Sequence, residues 1–94
     1  MYTIGTTGKI NKNYRSSKPT IIFYYRVIQK DYQEREQIDV NFENTVVPNG
    51  GRYYVEFSSK NPTNSKLLLN YPVPTTILSA PDSGWSYMPG YMNK

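Results

Sequence analysis

The sequence predicts a small all-β domain, and three observations support this prediction. The 94 residues suffice for one domain but not for two, because each half would be too small to bury a stabilising core. Hydrophobic residues make up 37% of the chain and aromatic residues 15%, which is too much apolar surface for a disordered segment. Short β-branched and aromatic runs alternate with proline- and glycine-containing turns about every ten residues. This spacing predicts an antiparallel β-sandwich or barrel of about five or six short strands.

Residues 1–18 are predicted to form an extended, basic N-terminal arm with at most a short strand. They are rich in Gly, Thr, Ser, Asn and Lys, which favour turns over core positions. Residues 1–30 contain six bases and no acid, and this asymmetry indicates an acidic protein surface or a phosphate backbone as partner. A solvated tail is the alternative. The predicted contact residues of this arm are Lys9, Lys12, Tyr14, Arg15 and Lys18.

The β core is predicted over residues 19–79. Residues 20–29 are apolar on both alternating faces, which indicates a strand covered on both sides, at the centre of the sheet. The charged residues 30–37 predict a loop or the end of a hairpin, since they are too few for a stable helix. The predicted core side chains are Ile22, Tyr24, Ile38, Val40, Phe42, Tyr53, Val55, Phe57 and Leu68.

Two further patterns complete the predicted core. Apolar and polar residues alternate over residues 38–43 and again over 53–57, and residues 48–51 between them tolerate positive φ. Together they predict a hairpin. Residues 66–79 predict two more short strands, and Pro72 and Pro74, which remove two backbone donors, place the joining segment at an edge or a bend.

Residues 80–94 are predicted to form an aromatic C-terminal arm, because two prolines and two glycines interrupt every regular period. The chain has ten tyrosines and one tryptophan, more than a domain of this size can enclose. Tyrosine combines a large apolar ring with a hydroxyl group, which suits interfaces that are partly buried and partly hydrated. A second interpretation, in which these rings fold back over their own domain, stays open. The predicted contact residues are Trp85, Tyr87 and Tyr91 of this arm and Tyr54, which is predicted to be exposed on the polar face of its strand.

The side chains most used in catalysis and metal binding are missing. The chain has no histidine and no cysteine, which removes the common general base, the thiolate ligands and any disulfide framework. Among its seven acids, Glu34 and Glu36 lie in the charged segment and Asp39 and Glu43 on the polar face of an alternating one, and the acids are predicted to be solvated surface. The run Gly5–Lys9 is not a phosphate-binding loop, because two residues rather than four separate its glycines. We therefore predict a protein that is not an enzyme and uses no metal or cofactor.

The chain begins with Met, has no cysteine, is rich in Asn, Tyr and Lys, and carries candidate arms over residues 9–18 and 80–94. In this overall composition it resembles small all-β virion proteins of bacteriophages, of the capsid auxiliary or decoration type. The resemblance implies many copies bound at junctions between larger capsid or tail subunits, without catalysis. It also implies a place in the virion after synthesis in the host cytoplasm. The absence of a leader pattern and of an apolar run of about 20 residues agrees with cytoplasmic synthesis and no membrane partner.

Three classes of function use exposed tyrosines together with basic residues. The first is assembly with larger protein subunits, and with copies of the same chain, through aromatic anchors. The second is single-stranded nucleic-acid binding, in which bases stack on rings; the acids Asp39, Glu43 and Glu56 near the aromatic strands weigh against it. The third is carbohydrate binding, in which rings stack under sugars and polar side chains bond the hydroxyl groups. Assembly is the function that the sequence favours.

Overall fold

The computed structural model describes residues 1–11, 19–39 and 45–91. All regular structure in these residues is β, and the strands form one antiparallel sheet in the order β3-β2-β1-β4-β5. The predicted all-β class is confirmed. The described residues include no helix with the length and apolar character needed to span a bilayer. The strands are β1 (Tyr2–Asn11), β2 (Thr20–Val27), β3 (Lys30–Gln37), β4 (Arg52–Phe57) and β5 (Ser65–Pro72).

The sheet curls until its two edge strands, β3 and β5, approach each other. The backbone N–H of Leu67 in β5 donates to the carboxylate of Glu36 in β3 over 3.1 Å. The curled sheet is a partly open barrel, and its concave side encloses the main core. The buried side chains of this inner cluster are Ile21, Phe23, Tyr25, Val27, Ile38, Val46, Tyr53, Val55, Phe57 and Leu67.

Strand β1 lies at the centre of the sheet, whereas the sequence predicted that these residues form an arm. Its first half pairs with β4, from Tyr2 to Thr6, and its second half pairs with β2. A Cβ atom added at Gly5 would lie 2.5 Å from Val55 Cγ2, so the missing side chain lets β4 pack closely. The prediction of an arm is therefore wrong for residues 2–11. Residues 12–18 lie outside the described residues.

The inward and outward faces of β2 are the reverse of the predicted ones. Phe23 and Tyr25 point into the inner cluster, whereas the side chain of Tyr24 is 45% exposed on the outside. Arg26 lies on the same outer face as Tyr24. The strand is next to the centre of the sheet rather than at it. Ile22 is half-buried on the outer face, and Leu68 belongs to a second, outer cluster.

The charged residues 30–37 form strand β3 instead of a loop. They pair with β2 along its whole length through a two-residue turn, Ile28–Gln29, in which both residues have positive φ, of 49° and 61°. Such turns match the twist of a hairpin. A charged sequence is compatible with β3 because this strand is at the edge of the sheet, where its outward side chains stay in water.

The hairpin predicted between residues 38–43 and 53–57 is not formed. A strand has two edges, and those of β4 are occupied by β1 and β5. Ile38 is buried in the inner cluster as predicted, and so are Tyr53, Val55 and Phe57. Val40 and Phe42 lie outside the described residues.

The turn preceding β4 has the backbone conformation that its residues predict. Asn49 and Gly50 have φ values of 55° and 115°. The buried Thr7 holds this turn on β1: its carbonyl accepts from Gly50 N over 2.9 Å, and its Oγ1 donates to Val47 O over 2.6 Å. Since Gly51 N also donates to Thr7 Oγ1, over 2.8 Å, one polar side chain satisfies two backbone groups of the turn.

Strand β5 is at the sheet edge and ends at Pro72, as the prolines predict. It is one strand, and residues 75–79 form no second one. Residues 80–91 then cross the outer face, where the backbones of Tyr2 and Trp85 exchange hydrogen bonds of 2.8 and 2.7 Å. They are therefore packed on their own domain rather than extended from it. The outer cluster contains Tyr2, Ile4, Tyr54, Leu68, Tyr71, Val73, Ile77, Trp85 and Met88.

Candidate binding surface

Two adjoining hollows lie on the outer face of the sheet. One has a volume of about 390 Å³ and the other about 290 Å³, and both share a floor of Ile4 and Thr6 from β1 and a wall of Arg26 from β2. The first hollow extends toward β3, and the second extends under the chain segment 78–82. We call the two hollows together the outer trough. Its lining includes Ile4, Thr6, Tyr24, Arg26, Asp31, Arg52 and residues 78–82.

Tyr24 provides the aromatic surface of the outer trough. A Cβ atom added at Gly8 would lie 2.9 Å from Tyr24 Cε2, so the ring occupies the space above the glycine in β1. Aromatic side chains often cover glycines of a neighbouring strand in this way. Because almost half of the side chain is exposed, the ring offers free surface to a ligand.

The charged groups of the outer trough balance one another. Arg26 Nη1 lies 3.5 Å from Asp31 Oδ1, and both side chains are largely exposed. Arg52 Nη2 donates to the carbonyl of Pro74 over 3.0 Å, and one carboxylate oxygen of Asp82 accepts from the backbone of the Ile28–Gln29 turn. Two guanidinium groups and two carboxylates therefore give the lining both donors and acceptors but no net charge.

The hairpin tip, which we define as Ile28 and Gln29, borders the segment that covers one end of the trough. Asp82 fixes it with two contacts: its carbonyl accepts from Ile28 N over 2.8 Å, and its carboxylate accepts from Gln29 N over 3.0 Å. Ile28 is a β-branched residue at a φ of 49°, and its side chain is 65% exposed. It therefore combines backbone strain with exposed apolar surface.

The seam between β3 and β5 contains the carboxylate of Glu36, whose pKa is shifted. Burial raises the pKa of Glu36 above its ordinary value, and the hydrogen bond from Leu67 N and the charge of Lys66 offset part of this increase. The described residues contain no group of three His, Cys, Asp or Glu side chains that could hold a metal ion.

The structure describes one of the five contact residues predicted for the basic arm, and it places this residue in the sheet. Lys9 is exposed on β1, as its predicted role requires, but β1 is part of the sheet. Asn11 pairs with Thr20, so the sequence between them connects two neighbouring strands instead of leading to a free end. The other four predicted residues, Lys12, Tyr14, Arg15 and Lys18, lie outside the described residues.

The predicted aromatic contact residues divide into buried and exposed ones. Tyr54 is fully buried, so the prediction that it is exposed is wrong; its hydroxyl donates to Pro89 O over 2.5 Å, and burial raises its pKa. Trp85 is half-buried with its ring edge-on to Tyr54, 6.0 Å between centroids. Tyr87 and Tyr91 remain partly exposed. Binding of a partner by these two residues stays a prediction.

Sequence reasoning missed Tyr24, Arg26 and Ile28 as surface residues. Arg26 follows Tyr24 by two positions, and the alternation of a strand places both on one face. A charged residue on that face was the available signal that the face is exposed. No comparable signal marks Ile28, because its turn lacks the Asn and Gly that usually identify such turns.

Comparison with known proteins gives no relative from which a function could be transferred. No protein-family model, curated protein or solved structure matches the chain.

Proposed function

We propose that this protein is a non-enzymatic assembly protein that binds a larger protein subunit, as a small structural component of a virus particle does. The observation that most supports the proposal is the hairpin tip. At Ile28 an apolar, β-branched side chain is both strained and exposed to water. Each condition is unfavourable for the isolated chain, and such unfavourable positions are concentrated at functional sites, which supports a contact role for Ile28.

The hairpin tip suits protein–protein contact for a physical reason. A short apolar side chain on a rigid two-residue turn can enter a partner's pocket with little loss of conformational freedom. The two contacts from Asp82 fix the turn, so the anchor is preformed. Leu78, whose side chain is 84% exposed in the segment leading to Asp82, adds further apolar surface. The resemblance to small virion proteins supports the same class of function.

A photo-cross-linking experiment tests this function. The cross-linker p-benzoylphenylalanine replaces Lys30, which is exposed beside the tip, or Lys60, which is exposed in the connection between β4 and β5. After irradiation of cells that make the protein, the sedimenting particle fraction is examined for covalent products. We expect a single product of defined mass from position 30 and none from position 60. Equal products from both positions, or none in the sedimenting fraction, would contradict the proposal.

A substitution at Ile28 tests the binding role of the side chain separately from the strain of the backbone. Asn tolerates positive φ, so Ile28→Asn should raise the free energy of unfolding by about 1 kcal/mol and still abolish the product at position 30. Gln29→Asn, one residue along the same turn, is the matched control and should retain the product. A stable Ile28→Asn chain that cross-links as before would show that the tip is not the anchor.

A further inference from the structure

We propose that the outer trough is a binding site for a neutral oligosaccharide. The first supporting feature is Tyr24, which lies over Gly8 and leaves almost half of its side chain free. A pyranose ring presents a face of C–H groups, and the electron-rich face of an aromatic ring attracts such groups. The Tyr24 ring can therefore stack on one sugar ring, and this contact requires no net charge on either partner.

The second feature is the polar lining around this ring. A sugar hydroxyl group donates one hydrogen bond and accepts others, so a site for it needs donors and acceptors side by side. The Arg26–Asp31 pair supplies both at one wall, 3.5 Å apart. Arg52 and Asp82 supply both at the other end of the trough. Asp82 is exposed and lines the second hollow, so its carboxylate can accept a hydrogen bond from a ligand besides the one from Gln29 N.

The charge of the lining decides between the possible classes of ligand. Single-stranded nucleic acid or an acidic peptide would require an excess of cations, since ionic attraction supplies most of the binding to a polyanion. The two arginines of the trough are matched in number by Asp31 and Asp82, so the lining has no net charge that would supply this attraction. Aromatic stacking with neutral hydrogen bonding remains, and these are the contacts that a neutral sugar makes.

The shape of the outer trough fits a short chain rather than one sugar ring. The two hollows share Ile4, Thr6 and Arg26 and therefore adjoin, and each has a volume of about the lower limit for ligand pockets. One hollow contains the Tyr24 platform, and the other ends against Leu78 and Pro81. We therefore assign one sugar unit to each hollow, with the linkage between them beside Arg26.

Affinity electrophoresis tests the site. The folded full-length chain migrates through native gels that contain a glucan, a mannan or a xylan as neutral probes; a polyuronate gel and labelled oligo(dT) are the anionic probes. We expect retardation by at least one neutral polysaccharide. Retardation should be equal in about 50 mM and about 500 mM salt, because stacking and neutral hydrogen bonds are little screened.

Matched tyrosine variants locate the site. Tyr24→Ala should weaken binding to the retarding polysaccharide about tenfold or more, and Tyr24→Phe should retain most of it because the ring is kept. Val47→Ala, at an exposed apolar residue that does not line the trough, is the control and should bind like the unchanged chain. Circular dichroism of each variant verifies the fold.

Three results would overturn the inference. They are no retardation by any neutral probe, equal retardation of Tyr24→Ala and the unchanged chain, and salt-sensitive oligo(dT) binding that depends on Tyr24. The last result would identify the trough as a nucleic-acid site instead. Ile28→Asn should not change retardation, so a failure of the hairpin tip as a protein anchor can be distinguished from a failure of the trough.

Discussion

Tyr54 is the residue that joins the sheet to the C-terminal segment. It is fully buried on the outer face, where its ring meets the edges of Trp85 and Tyr91 at centroid distances of 6.0 Å. Its hydroxyl donates to the carbonyl of Pro89. The hydroxyl is the polar group that allows so large a side chain to be buried between the sheet and an irregular segment.

Removing this hydroxyl should weaken the fold measurably. Tyr54→Phe leaves the carbonyl of Pro89 without its donor, so we expect the free energy of unfolding to fall by about 1 kcal/mol in urea denaturation. Tyr24→Phe, at an exposed ring, is the control and should change it by less than about 0.5 kcal/mol. Equal losses in the two variants would show that the contact with Pro89 does not stabilise the fold.

The same hydroxyl should make the fold sensitive to alkali. Burial raises the pKa of Tyr54 in the folded chain above 10.0, the ordinary value, and does the same for Tyr25. The unfolded chain therefore loses these protons first as the pH rises, so stability is complete below pH 10 and falls above it. Tyr54→Phe should make this fall shallower, which urea titrations at several alkaline pH values would measure.

The buried carboxyl group of Glu36 should also lower the stability of the fold as the pH rises, but in the acidic range. Because burial raises its pKa above 4.5, the folded chain retains a proton that the unfolded chain has lost. The stability gained is complete below the unfolded pKa and is lost as the pH rises through the folded pKa. Glu36→Gln keeps an oxygen acceptor for Leu67 N and removes the buried charge, so it should raise stability at pH 7 and flatten the dependence above pH 4.5.

The control for this variant is on the same strand. Glu34→Gln changes a second half-buried carboxylate of β3, two residues before the one that accepts from Leu67 N, and it should leave the stability at pH 7 nearly unchanged. Thermal unfolding between pH 4 and pH 7 would compare the two variants. A lower stability of Glu36→Gln at pH 7 would mean that the charged hydrogen bond to Leu67 outweighs the burial of the carboxylate.

At the scale of elements, the C-terminal segment is part of the domain's own packing. An aromatic arm over residues 80–94, as predicted from the sequence, would be dispensable for the folding of the strands. The structure gives the opposite expectation, because truncation after Ser79 removes the buried Met88 and the backbone pairing of Trp85 with β1. Deleting a buried methionine side chain alone costs about 2–5 kcal/mol, a large part of the stability of a small domain.

We therefore expect the chain truncated after Ser79 to lose its near-UV circular dichroism and its cooperative unfolding transition. Ser86→Ala, at an exposed position of the same segment, is the control and should leave both signals unchanged. A truncated chain with a sharp unfolding transition would contradict this expectation and restore the interpretation of residues 80–94 as an arm.

At the scale of the whole molecule, the two ends of the chain meet on one strand. Tyr2 pairs with Glu56 of β4 on one side and with Trp85 on the other. Pairings between residues so distant in sequence form late and slowly, with folding times of about milliseconds to seconds for all-β domains. Since β1 holds both β4 and the C-terminal segment, neither should unfold alone.

A single cooperative transition follows from this arrangement. Trp85 is the only tryptophan, so its fluorescence reports on the C-terminal segment, while far-UV circular dichroism reports on the sheet. We expect the two urea transitions to coincide, as in two-state unfolding. A fluorescence transition at lower urea than the loss of the sheet would instead show that residues 80–91 detach first.

The features that the sequence determined are those set by local chemistry. β-branched and aromatic runs separated by turn residues determine the all-β class, because they favour extended backbone whatever their partners are. Pro72 determines that β5 is an edge strand, since it lacks a donor, and Asn49 and Gly50 determine the turn before β4 because they tolerate positive φ.

The tertiary structure alone decided which strands are neighbours. Large apolar side chains lie on both faces of β2, and Arg26 is the one sequence signal of the exposed face; packing against β4 and β5 buries Phe23 and leaves Tyr24 outside. Pairing of β1 with β4 and of Tyr2 with Trp85 joins segments that are far apart in the sequence. The outer trough exists only where distant segments converge, because its lining comes from four separate parts of the chain, residues 3–6, residues 24–32, Arg52 and residues 78–82.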